Sequence, residues 1–186
     1  MTDRDETIIT AVLDFWLDEI GPERWFRGGP EVDAAVHDRF GDLSARAVAG
    51  GFDRWPETAR GALALLILLD QFPRNLHRAQ AAAFAGDERA RKVAAAGIER
   101  GFDLGFDSDA RSLFYLPFEH SEAWADQERS LTLFEALTDR PVYLDYAQRH
   151  AALIRRFGRY PHRNRALGRA DTPDEAAWLD NNAEPF

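Results

Sequence analysis

Apolar residues in this chain recur every third or fourth position in segment after segment and never alternate over a useful length, a spacing that builds helices and leaves nothing from which to make a sheet. Ile8, Val12, Phe15, Trp16 and Ile20 mark a first amphipathic helix that Gly21-Pro22 stops. Val32, Val36, Phe40, Leu43 and Ala47 mark a second, ending at Gly50-Gly51, and a strongly apolar third runs from Ala62 to Asp70. Pro73 is expected to end that third helix, because the residue before a proline is pushed out of the helical region. Asp87 reads as the N-cap of a helix running through Val93, Ala94 and Ile98 to Gly101. After a Gly- and Asp-rich connection from Gly101 to Asp109, His120, Trp124, Gln127, Leu131 and Phe134 line one stripe of a fifth helix. Tyr143, Ala147, His150, Ile154 and Phe157 line one stripe of a sixth. Thr172, Pro173 and Glu175 spell a capping box for the last helix. The expectation is an all-α bundle or array of about seven to nine helices.

Size and charge bound the function. With 186 residues and 45% apolar content, one domain over residues 1–186 is the default. The longest uninterrupted apolar stretch, Ala62 to Leu69, is far shorter than the roughly 20 residues that cross a membrane. The amino terminus is acidic where a secretory signal is basic and then apolar, which favours a cytoplasmic address. The chain has no cysteine, so disulfides and thiolate chemistry are excluded. A net charge of −9 argues against nucleic-acid binding, yet seven arginines and no acid lie between Arg149 and Arg169. Such local asymmetry is the electrostatic footprint of an anion site.

Two segments echo one another. Asp70-Gln71-Phe72-Pro73-Arg74-Asn75-Leu76-His77-Arg78 and Phe157-Gly158-Arg159-Tyr160-Pro161-His162-Arg163-Asn164-Arg165 each close an apolar helix with an aromatic-proline pair and then present Arg-Asn with further basic residues. Those side chains recognise carboxylates and phosphates in fixed geometry. Asp70 continues an apolar face close to a helix C-terminus, where a negative charge needs a cation, with Arg74 and Arg78 nearest. It is either half of a structural ion pair or a catalytic carboxylate. Pro117-Phe118-Glu119-His120-Ser121-Glu122, with Gln127 farther along, supplies an imidazole and a carboxylate suited to acid-base work. His150, on an apolar stripe, is either a packed core histidine or a ligand contact. No two of His120, His150, His162 and Glu122 stand at ligand spacing, so neither a metal nor another cofactor is expected.

The run Leu66 to Asn75, the Pro117–Glu122 segment with Gln127, and Phe157 to Asn164 with Leu167-Gly168-Arg169 together resemble the bacterial family known as domain of unknown function 924. Val12-Leu13-Asp14-Phe15-Trp16 and Trp25-Phe26 are similar to it as well, so the resemblance spans almost the whole chain. It implies an all-helical fold similar to tetratricopeptide-repeat-like arrays and no particular activity.

The residues themselves support a soluble protein whose three motifs meet around one cleft for a small carboxylate or phosphate ligand. Arg74, Arg78, Arg159 and Arg163 would clamp the anion, Asn75 and Asn164 would orient it, and His120, Glu122 or His162 would move protons. Asp70, Gln127 and His150 would complete the lining. Two alternatives stay open: a helical module that holds an acidic peptide or C-terminal carboxylate on the same arginines, and motifs that only lock the fold.

Overall fold

A computed structural model describes residues 1–182, and among them it contains helices, turns and no strand. The chain groups into two compact units, one made of residues 1–78 and 82–117, the other of 79–81 and the residues from 118 onward.

In the first unit, α1 (Asp3–Leu13) starts on a capping box at Thr2 and continues without a break as a π-helical stretch, Asp14–Ile20, until Gly21 turns the backbone at φ 74°. A short α2 (Pro22–Trp25) follows, then α3 (Gly29–Val48). The helix α4 (Ala59–Leu66) is entirely buried from Gly61 on. It passes through a π turn, Ile67–Gln71, into α5 (Phe72–Leu76), so that Pro73 opens a helix where the sequence suggested that it closes one. The reason lies in the hydrogen bonds. Phe72 donates its N–H to Ile67 O, one residue farther back than in an α-helix. Pro73 has no N–H, which suits a first-turn position. Leu68 O, which this shift leaves without its helical donor, accepts instead from the Ser44 hydroxyl at 2.9 Å. The core beneath is aromatic: Phe15, Trp16, Phe40 and Phe72 meet at centroid distances of 4.9 to 6.3 Å.

Next, α6 (Asp87–Glu99) corrects a second expectation. Its N-cap is Gly86, and Asp87 is the first helical residue. Only glycine fits at 86, because a Cβ there would lie 2.1 Å from Leu69 O. This close approach delivers the Asp87 carboxylate to Arg74. A helix that the sequence reading passed over, α7 (Ser108–Glu119), carries Pro117 in its last turn.

The second unit pairs α8 (Trp124–Glu135) with α9 (Pro141–Phe157) and ends in α10 (Pro173–Asn181), which starts on the expected capping box at Thr172. Its core gathers Leu153, Ile154 and Tyr160, with Trp124, Phe157 and Trp178 against them. Gly158, left-handed at φ 69°, stops α9 and lets the chain turn into a short 3-10 helix, Pro161–Arg163. Taking residues 59–76 as one run, the described residues carry nine helices, within the expected range of about seven to nine, α2 and α7 being the two that the periodicity did not mark. No helix is long and apolar enough to cross a membrane.

Candidate functional site

The first echoing segment lies in the first unit, and acids hold its basic side chains there. The Arg74 Nη1 atom sits 3.1 Å from Asp70 Oδ1 and 3.0 Å from Asp87 Oδ1, between two carboxylate side chains that are 2% and 11% exposed. Arg74 also donates to Asp70 O at 2.6 Å, closing the end of the π turn. Arg78 and Asn75 converge on Asp33, a residue of α3, at 2.5 to 2.9 Å. Burial alone would raise the Asp33 carboxyl, but the hydrogen bonds from Arg78 and Asn75 prevail and hold it below its ordinary value. Asp70, Arg74, Asn75 and Arg78 are thus all engaged within their own unit.

The second unit joins the remaining candidates. His120 lies in the turn between α7 and α8 and so is not part of the α8 stripe, whereas Gln127 is fully buried on α8. The Gln127 Nε2 group, with two hydrogens to give, lies within hydrogen-bond reach of Glu119 O at 2.8 Å, Ser121 O at 2.6 Å and Tyr160 Oη at 3.0 Å. It thereby closes the C-terminal end of α7, whose carbonyls have no helical donor, and ties that end to the segment after α9. Glu122 accepts from the Tyr160 backbone N–H at 2.9 Å and from both Arg169 terminal nitrogens at 2.6 and 2.9 Å. Burial would raise its carboxyl, but the Arg169 and Tyr160 hydrogen bonds outweigh that and lower it. Asn164 bridges Asp171 at 2.7 Å and Arg169 at 2.9 Å. Arg159 grips Glu175 through two hydrogen bonds of 2.6 and 2.7 Å and holds that carboxyl down at about 2.

Inside this frame lies a cluster of rings. His150 stands 6.3 Å from His120 and 5.6 Å, edge-on, from Tyr160; His162 lies 5.4 Å from Tyr160, and the Arg163 guanidinium sits 4.5 Å over the same ring. The His150 Nδ1 atom is 2.9 Å from Tyr146 O and 3.2 Å from Glu119 Oε1. A nitrogen between two acceptors carries the hydrogen, which leaves Nε2 as the basic atom. Burial lowers the His150 pKa to about 3, with the charge of neighbouring His120 adding to the effect. Burial likewise lowers His162 to about 4, helped by Arg163. The Tyr160 hydroxyl is raised by burial. At neutral pH, His150 and His162 are therefore uncharged, in a setting whose nearby guanidinium favours an incoming negative charge. His120 and His162 are half-buried and meet solvent, while His150 and Tyr160 lie behind them.

Among the described residues, no three or more His, Asp or Glu side chains are arranged to hold a metal ion. The sequence reading missed Glu119 and Tyr160 as parts of the cluster, although both stand inside the quoted motifs. It also missed Asp33, Asp87 and Glu175 as the acids that pair with Arg78, Arg74 and Arg159, Asp171 as the partner of Asn164, and Arg169 as the partner of Glu122. Nothing in the spacing of these acids announces which arginine or asparagine each one meets.

The comparisons with known proteins agree with this fold. Residues 12–183 match the family model described as a bacterial protein of unknown function, DUF924. The chain belongs to that family. A solved structure of a protein of unknown function from Agrobacterium tumefaciens is 41% identical, with a TM-score of 0.89 over 95% of this chain and 98% of that one. No match is found among the curated proteins. Membership of DUF924 accounts for the resemblance of the three motifs and brings with it an all-helical architecture and no activity.

Proposed function

We propose that the second unit binds a small carboxylate- or phosphate-bearing ligand beside His120, His162 and Arg163, with His150, backed by Glu119, holding the ring cluster behind them. One observation carries this reading: three imidazoles from separate segments gather, His150 and His162 against Tyr160 and His120 against His150, and burial together with nearby positive charge keeps two of them neutral. Uncharged imidazoles can hydrogen-bond an anion while the guanidinium supplies the positive charge that holds it. Glu122, Gln127, Asn164 and Arg159 act by holding this frame, since each is hydrogen-bonded within the unit.

The test is a thermal-shift and NMR titration of the whole chain with inorganic phosphate and with succinate. At a hundredfold excess over the dissociation constant, binding adds about 2.7 kcal/mol to stability, and it should move the His120 and His162 ring signals. Arg163→Gln, with an unchanged circular dichroism spectrum, should abolish both effects. An unchanged melting temperature with both anions, or equal binding by Arg163→Gln, rejects the reading.

A structural role is the second reading, and it is favoured for the first echoing segment alone. Arg74 and Arg78 are already chelated by Asp70, Asp87 and Asp33. A ligand carboxylate there would have to displace an internal one of the same chemistry.

A further inference from the structure

Of the seven arginines between Arg149 and Arg169, Arg149 pairs with Asp145, Arg159 with Glu175 and Arg169 with Glu122. Arg155 and Arg156 do something else. Their guanidiniums lie over aromatic rings, 4.7 Å from the Trp124 centroid and 4.6 Å from the Phe157 centroid, and neither meets a carboxylate among the described residues. Both belong to the rim of a groove of about 370 Å³ on the second unit, lined by Trp124 and Leu131 from α8 and by Gln148, Ala151, Ala152 and the two arginines from α9.

The helical periods explain the groove's shape. Trp124 and Leu131 stand seven apart, two turns of one face of α8, while Gln148, Ala151, Ala152 and Arg155 follow the same stripe of α9. Alanine at 151 and 152 keeps the α9 side low, so the furrow between the two ridges stays open where larger side chains would fill it. Its floor is apolar and its rim is cationic, in a chain whose net charge is −9.

We propose that this groove receives an amphipathic helical segment of a partner protein, with leucine-like side chains on the floor and flanking glutamates or aspartates on Arg155 and Arg156. The charge on the rim argues for this occupant, because a guanidinium over an aromatic ring keeps its donors available for a planar carboxylate. The furrow between two helices accepts apolar anchors at i, i+3, i+4 and i+7 of a third. The surface uses none of the groups assigned to the anion site, so the two proposals stand or fall separately.

The experiment titrates the full chain with two synthetic helical peptides that carry leucine at i, i+3, i+4 and i+7, one flanked by glutamates and the other by lysines. The readouts are the Trp124 indole N–H signal and anisotropy of the labelled peptide. The glutamate peptide should saturate and shift Trp124, and the lysine peptide should not bind. Arg155→Gln with Arg156→Gln, both on the exposed face of α9, should weaken binding about tenfold, and Ala152→Trp should block it by filling the groove. The proposal is overturned by any of three outcomes: no saturable shift of Trp124, equal affinity for the two peptides, or undiminished binding by the arginine variants. It is also overturned if sedimentation finds dimers that the arginine variants abolish, since the groove then belongs to a second copy of the chain.

Discussion

The two echoing segments are spelled nearly alike and are used in opposite ways. In the first, Gln71 keeps helical angles, a π turn absorbs the missing N–H of Pro73, and the helix carries on. In the second, Gly158 adopts a left-handed conformation two residues before Tyr160, and the helix stops. A continuing helix points Arg74 and Arg78 at acids already in place on neighbouring elements, and their charge is consumed there. A stopped helix lets the chain turn, so that Tyr160 packs edge-on against His150 while His162 and Arg163 lie against the Tyr160 ring. Similar motifs thus become a lock in one unit and a candidate site in the other, and the backbone just before the aromatic-proline pair decides which.

Substituting the matched arginines strains this contrast most. Arg74→Ala withdraws the cation from two buried carboxylates and should cost about 3 kcal/mol of unfolding free energy, whereas Arg163→Ala, which removes a buried guanidinium from over the Tyr160 ring, should cost about 2 kcal/mol. Urea denaturation measures both, and equal losses would make the second segment as structural as the first.

The pH profile comes next. His150 and His162 have folded-state pKa values lowered to about 3 and about 4, against an ordinary 6.5. The unfolded chain therefore takes up protons first as pH falls. Their contribution to stability is complete above about 6.5 and drains away as pH drops from there towards 4. Urea midpoints collected over that range should decline, and His162→Asn should flatten part of the decline. A variant with the wild-type slope would show that this imidazole is not kept neutral by the fold.

Two asparagines offer a finer comparison. Asn164 holds Asp171 and Arg169 together, so Asn164→Ala should cost about 2 kcal/mol; Asn75 shares Asp33 with Arg78, so Asn75→Ala should cost about 1 kcal/mol. Melting of the pair side by side tests the order, and a reversed order would mean that the first segment depends on its asparagine more than on its arginines. The smallest effect belongs to Thr172→Ala, about 0.5 kcal/mol by calorimetry, because the Glu175 that shares its capping box keeps the Arg159 contacts. A much larger loss would show that the cap, and not Arg159, positions Glu175.

Most of the helices were legible because burial imposes a period. Ile8 to Ile20 and Tyr143 to Phe157 are stripes that only a helix can keep on one side. The capping box at Thr172 was legible because its chemistry is local. Pro73 misled the reading for the same reason: a helix breaker as an isolated residue, it sits here in a first turn behind a π turn. The Asp87 cap failed likewise: its carboxylate goes to Arg74, thirteen residues away, in place of its own helix.

At the candidate site, the sequence singled out His120, Gln127, His150, His162 and Arg163, which do gather in one unit: Gln127 and His150 as polar residues that break apolar stripes, the others through the chemistry of their motifs. It could not say which arginines were already committed. The partners of Arg78 and Asn75 lie 45 and 42 residues away, and an acid on a surface stripe looks the same whether or not an arginine reaches it.

By itself the sequence determined the helical class, the family and the residue types from which any site here must be made, because periodicity, capping and motif chemistry are short-range properties of a chain. Only the tertiary structure decided which charges are cancelled and which imidazoles are held neutral. Both depend on distances of a few ångströms between segments far apart in sequence, where a carboxylate at 3 Å neutralises a guanidinium and loss of water, more than any neighbouring residue, sets the charge of a histidine.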